Sequence, residues 1–193
     1  MIDVVFAAVL LWTSSAADPC AHDKAAILAL SPDKFDQDLR GGWRPLGNTP
    51  GCEGAAADLI EAYRQAHWGA LTRSDLHESY WHEGQLRAAA GQSDRAVPLL
   101  LAGVDPEGLG DPADYALGTV AFLQHDLESL KAARARIVAQ PEPAWFKAGK
   151  AEAKRQTGRE PTWPMYKDEL DGFLRCFDKP YAEAYSSRAC RTP

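Results

Sequence analysis

The sequence predicts an all-α fold: antiparallel helix pairs packed in a row, with further helices covering both ends. Three observations predict it. Apolar residues recur at helical spacing along most of the 193-residue chain. Helix-starting and helix-stopping residues punctuate those stretches. Alternating β-branched runs, the mark of strands, do not occur. Hydrophobic residues make up 46% and charged residues 25% of the chain, which gives one domain a sizeable core and argues against disorder.

The chain opens on an apolar stretch, Val4 to Trp12, too short to span a bilayer. Thr13-Ser14-Ser15-Ala16-Ala17 follows, with small Ser15 and Ala17 at −3 and −1 of a cut before Asp18. Residues 1–17 therefore read as a signal peptide, although Met1-Ile2-Asp3 lacks the usual positive charge. The expectation is export to the periplasm or beyond, with a single domain over residues 18–193. No later segment has the apolar length to cross a membrane.

Four cysteines follow: Cys20, Cys52, Cys176 and Cys190. An even count in an exported chain predicts two disulfides. Three pairings exist, and Cys20–Cys52 with Cys176–Cys190 closes the shortest loops. The short cysteine spacing of zinc sites is missing, so no metal is expected.

Ala21 to Leu30 favours helix. Ser31-Pro32-Asp33 then supplies a cap, a first-position proline and a first-turn acid for a short helix through Leu39. Trp43 to Gly51, with two prolines and two glycines, reads as a loop. Glu53 to His67 is amphipathic: Ala56, Leu59, Ile60, Tyr63 and His67 line one side, and Asp58, Glu61, Arg64 and Gln65 the other. Ser74 is expected to cap a long helix to Ala90, and Ser93 another to about Gly103 that contains Pro98. Asp114 to Gln124 and Leu127 to Gln140 make a second pair with a short connection. Trp145 to Gln156, Met165 to Phe177 and Pro180 to Arg188 complete the helices.

A 34-residue period runs through the middle. Gly84 and Gly118 each lie in the first helix of a pair. Gly91 and His125 stand seven residues later, at the turns, and Ala96 and Leu130 five further on. With Tyr80 and Leu100 at the aromatic positions, this resembles the tetratricopeptide repeat, over about Ser74 to Gln140. The resemblance implies units at about 74–107 and 108–141, flanked by capping helices. It further implies a concave groove lined by Glu78, Trp81 and Gln85, then Tyr115, Thr119 and Phe122. Aromatic anchors among a few polar groups suit a peptide or protein partner.

Charge and motifs narrow the remaining classes. A formal net charge of −6 argues against a nucleic-acid partner. Lys131, Arg134 and Arg136 read as a solvated helix face. His77 and His82 are five residues apart and point away from each other on a helix, unlike the i, i+4 pair of zinc proteases. Glu78 and His82 read instead as an i, i+4 surface pair. Nucleophile elbows and phosphate-cradling glycine motifs are absent, so no catalytic residue and no cofactor is assigned. The expectation is a binding module. The alternative is an immunity or inhibitor protein against an envelope-targeted toxin, and a third reading is a hydrolase using His82 with Glu78 or Glu83.

Overall fold

The computed structural model describes residues 18–104 and 113–192; residues 1–17, where the signal peptide is expected, 105–112 and 193 lie outside them. The described residues form helices, and no strand occurs among them. The helices are α1 (Lys24–Leu28), α2 (Arg44–Gly47), α3 (Glu53–His67), α4 (Arg73–Ala89), α5 (Ser93–Ala102) and α6 (Ala113–Leu123). They continue with α7 (Leu127–Ala139), α8 (Ala144–Thr157), α9 (Lys167–Arg175), α10 (Tyr181–Ser186) and α11 (Arg188–Arg191). The expected helix through Leu39 is a π turn, Asp33–Gln37, in which the Asp38 N–H donates to the Asp33 carbonyl.

Helix starts follow side-chain chemistry. The cap of α4 is Thr72, not Ser74: its hydroxyl accepts from the Asp75 N–H, and the Asp75 carboxylate accepts from the Thr72 N–H at 2.8 Å. A carboxylate three residues past the cap closes a reciprocal box that Ser74 cannot close. Gln92, not Ser93, precedes α5, without a side-chain cap bond. Pro98 is carried inside α5.

Antiparallel neighbours pack as α3 on α4, α4 on α5, and α6 on α7. The two turns 34 residues apart share one geometry. Gly91 and His125 both take positive φ, at 73° and 55°. At the first, Gly91 donates to Ala88 O and Gln92 to Arg87 O. At the second, His125 donates to Phe122 O and Asp126 to Ala121 O. This double bond closes the last carbonyls of a helix around one left-handed residue, a place glycine fills without strain and histidine does not. Gly84 and Gly118 lie at close crossings. A Cβ on Gly84 would stand 2.9 Å from Leu100 Cγ, and one on Gly118 2.7 Å from Leu170 Cδ2.

Two apolar cores meet at α4. One gathers Phe35, Trp43, Leu46, Leu59, Ile60 and Tyr63 around α3, with Leu86 from α4. The other gathers Trp81, Leu100, Tyr115, Leu130, Leu170 and Phe173. Of the tryptophans, Trp43 and Trp81 are buried, while Trp68 and Trp145 are 57% and 46% exposed. Disulfides join Cys20 to Cys52 and Cys176 to Cys190. The first ties the segment before α1 to the start of α3; the second ties the end of α9 to α11.

The polar face of α3 is only partly solvent-facing: Asp58 and Gln65 are exposed, whereas Arg64 is not. Arg64 is only 6% exposed, and its Nη2 donates to Glu83 on α4 at 2.5 Å. Asp58 and Glu61 reach Arg87 of α4, at 2.6 and 3.1 Å. The basic run on α7 is paired throughout: Lys131 with Glu128, Arg134 with Asp171 and Arg136 with Asp114.

Candidate functional site

A cleft of about 320 Å³ opens where the π turn, α2, α4, α6, α9 and α10 converge. Its floor is one face of α4. Glu78, Trp81, His82 and Gln85 stand at i, i+3, i+4 and i+7 there, the spacing that aligns side chains on a helix. Tyr115 of α6 continues the floor, with its ring 5.3 Å from that of Trp81. The far wall comes from Tyr166 and Glu169 at the start of α9 and from Tyr185 of α10.

Four of the six residues expected in a groove, Glu78, Trp81, Gln85 and Tyr115, line this one cleft. Thr119 and Phe122 do not. Thr119 is fully buried, with its hydroxyl donating to Tyr115 O. Phe122 stacks on Phe173 of α9 at 4.7 Å and touches Phe177 and Tyr181. Phe173 of α9 and Tyr181 of α10 cover Phe122, so the cleft stops short of it.

Tyr166 is held at some cost. Its φ is 62°, left-handed backbone for a bulky side chain, which costs about 1–3 kcal/mol. Its ring lies flat on Tyr115, 4.4 Å away and 7° from parallel. Glu169 is engaged by Arg191 of α11 at 2.5 Å. The segment stapled by Cys176–Cys190 therefore sets the far wall.

Sequence reasoning missed the near wall. His82 Nδ1 is 2.8 Å from Asp36 Oδ1 of the π turn. The same oxygen accepts from Trp43 Nε1 at 2.8 Å, and Oδ2 accepts from Gln37 Nε2 at 2.7 Å. Gln37 also donates to Glu78. The partners of Glu78 and His82 thus come from a segment over 40 residues away, where an i, i+4 surface pair was expected. Glu83, the other carboxylate of the hydrolase reading, is 2% exposed and bound to Arg64 and Arg87. Among the described residues no three His, Cys, Asp or Glu side chains gather as metal ligands.

Burial alone would raise the Asp36 carboxyl, but hydrogen bonds from His82 and Trp43 and the charge of Arg44 outweigh it and hold it below its ordinary 3.8. Asp171 is likewise lowered, since Arg134 and Lys167 outweigh its burial. A carboxyl depressed in the folded state stabilises fully above its unfolded value and loses that contribution as pH falls through its folded value. Stability measured by urea unfolding is therefore expected to fall steadily from pH 5 to pH 2.5. The slope should flatten in Asp36→Asn and Asp171→Asn; an unchanged slope in both would contradict this assignment.

Compared with family models, curated proteins and solved structures, the chain gives no match.

Proposed function

We propose that this protein is an exported helical-repeat binding module that engages a peptide or protein partner through the α4–α6–α9 cleft. The single observation that carries this is the convergence of Glu78, Trp81, Gln85 and Tyr115 on one cleft, walled by Tyr166 and Tyr185. Rigid aromatic side chains with a few polar groups suit a docking site. Export agrees with two disulfides and with the lack of a membrane-spanning helix among the described residues. The tetratricopeptide-like reading is supported by the recurring turn geometry at Gly91 and His125.

Size limits what enters. About 320 Å³ lies at the lower end of ligand pockets, which span roughly 300–1,000 Å³. The cleft therefore accepts a chain end or one or two side chains, not a long extended peptide. Capture of partners from an envelope extract tests the reading. Glu78→Ala with Gln85→Ala suits the test, because both side chains are only half-buried and Trp81 and Tyr115 support the core. Captured partners should be lost with the melting temperature retained. Undiminished capture by that double variant would sink the cleft.

A further inference from the structure

We infer that this cleft takes a basic side chain of the partner, an arginine or a lysine, whose cation is received by Glu169 and the Tyr185 ring on the far wall. The inference rests on the cleft being the binding site and deepens that reading by naming the residue type that enters.

The far wall holds half of an ion network. Arg191 Nη2 donates to Oε1 of Glu169 at 2.5 Å, and its guanidinium stands 5.8 Å from the centre of the Tyr185 ring. A carboxylate has two oxygens and about four lone-pair sites. One guanidinium on Oε1 leaves Oε2 for a second donor. Both Glu169 and Tyr185 line the cleft, and Tyr185 is 38% exposed, so a ligand there reaches carboxylate and ring together.

The completed form of this arrangement occurs elsewhere in the same chain. Glu83 holds two guanidiniums, Arg64 on Oε2 at 2.5 Å and Arg87 on Oε1 at 3.2 Å. Arg64 also lies 4.2 Å over the Tyr80 ring. Two guanidiniums on one carboxylate, one of them over a tyrosine, are thus a grouping this protein already sustains. Glu169 has the first guanidinium and the tyrosine, and the cleft opens where the second would come.

The rest of the cleft suits a long basic side chain. Trp81 and Tyr115 form the floor with rings that are 7% and 2% exposed, an apolar bed for a methylene stem. Glu78 and Gln85 add a carboxylate and an amide oxygen along that floor. Arg44 is the cation of the near wall, and it is balanced there: it lies 4.3 Å over the Trp43 ring and its charge faces Asp36. A cation over a ring face is attracted by the negative π cloud, and its hydrogen bonds to a carboxylate are charge-assisted. An acidic or uncharged side chain gains neither.

Calorimetric titration of the full, oxidised protein tests this with tripeptides Gly-Xaa-Gly, acetylated and amidated at their ends, in which Xaa is arginine, lysine or citrulline. Blocking removes the terminal charges, and citrulline keeps the shape of arginine without its charge. The arginine and lysine peptides should bind, and the citrulline peptide should bind about tenfold or more weakly. Glu169→Gln should weaken both cationic peptides by about tenfold or more and leave the citrulline peptide unchanged. Tyr185→Leu should weaken them by about two- to fivefold. That variant keeps the Glu169–Arg191 pair and serves if Glu169→Gln disturbs the far wall. Preference for arginine points to a planar group stacked on the ring, and preference for lysine to a point charge; either supports the site. Equal binding of the arginine and citrulline peptides, undiminished binding by Glu169→Gln, or no binding of either cationic peptide up to about 10 mM overturns it. Neither variant alters Glu78 or Gln85. Loss of captured partners in Glu78→Ala with Gln85→Ala, together with no peptide bound, would keep the cleft and remove this inference.

Discussion

Reduction with dithiothreitol is expected to lower the melting temperature by roughly 12–28 °C. The two bridges close loops of sequence separation 32 and 14. Restricting the unfolded chain by loops of that size contributes about 3–4 kcal/mol for the longer and about 3 kcal/mol for the shorter. For a domain of this length each kcal/mol moves the midpoint by roughly 2–4 °C. Replacing Cys176 and Cys190 together by serine isolates the shorter bridge and should cost roughly 6–12 °C. That pair also frees α11, whose Arg191 holds Glu169 on the far wall of the cleft. Partner capture should therefore drop more in this variant than in Cys20→Ser with Cys52→Ser. An unchanged melting curve under reductant would remove the disulfides from the account.

The second large effect is expected at Glu83. Three guanidinium groups and three carboxylates interlock between α3, α4 and α5. Arg64 and Arg87 bind Glu83, Arg87 continues to Asp58 and Glu61, and Arg95 closes on Glu61 at 3.1 Å. Arg87 and Glu83 are 1% and 2% exposed, and the Arg64 guanidinium lies 4.2 Å over the Tyr80 ring. Removing one member of a buried pair strands its partner in a medium that solvates it poorly, at about 3–5 kcal/mol. Glu83→Leu strands Arg64, whose Nη1 already lacks a partner. Urea unfolding should show that loss, a large share of a typical domain's roughly 5–15 kcal/mol. Arg95 is half exposed, and Arg95→Ala should cost about 1 kcal/mol or less. Comparable small losses in both variants would mean that Arg64 and Arg87 escape to water when Glu83 is gone, and that the network is not a buried one in energetic terms.

The contrast between these two predictions separates what was legible in the residues from what was not. The sequence left three cysteine pairings open, and the one formed is the one that closes the shortest loops. The ion network did not follow, because Asp58, Glu61 and Arg64 have the composition of a solvated face. Only the arrival of α4 against that face gives them buried partners. The same holds at the cleft. Glu78, Trp81 and Gln85 were placed together by helical period alone, whereas His82 and Asp36 are 46 residues apart and no spacing rule links them. The Thr72–Asp75 cap was readable as a hydroxyl followed by a carboxylate three residues on, and Ser74 was the wrong choice between two hydroxyls.

By itself the sequence determined the local facts: helices wherever apolar residues recur each turn, the exact run of α3 from Glu53 to His67, and the 34-residue return of the turn at Gly91 and His125. Such features depend on neighbours within a few residues, so a linear pattern records them. The tertiary structure alone decided that α9 and α10 cover Phe122, and that a π turn brings Asp36 to His82. Those outcomes depend on which distant surface covers a given face, and a face's own residues carry only its polarity, not the identity of what lands on it.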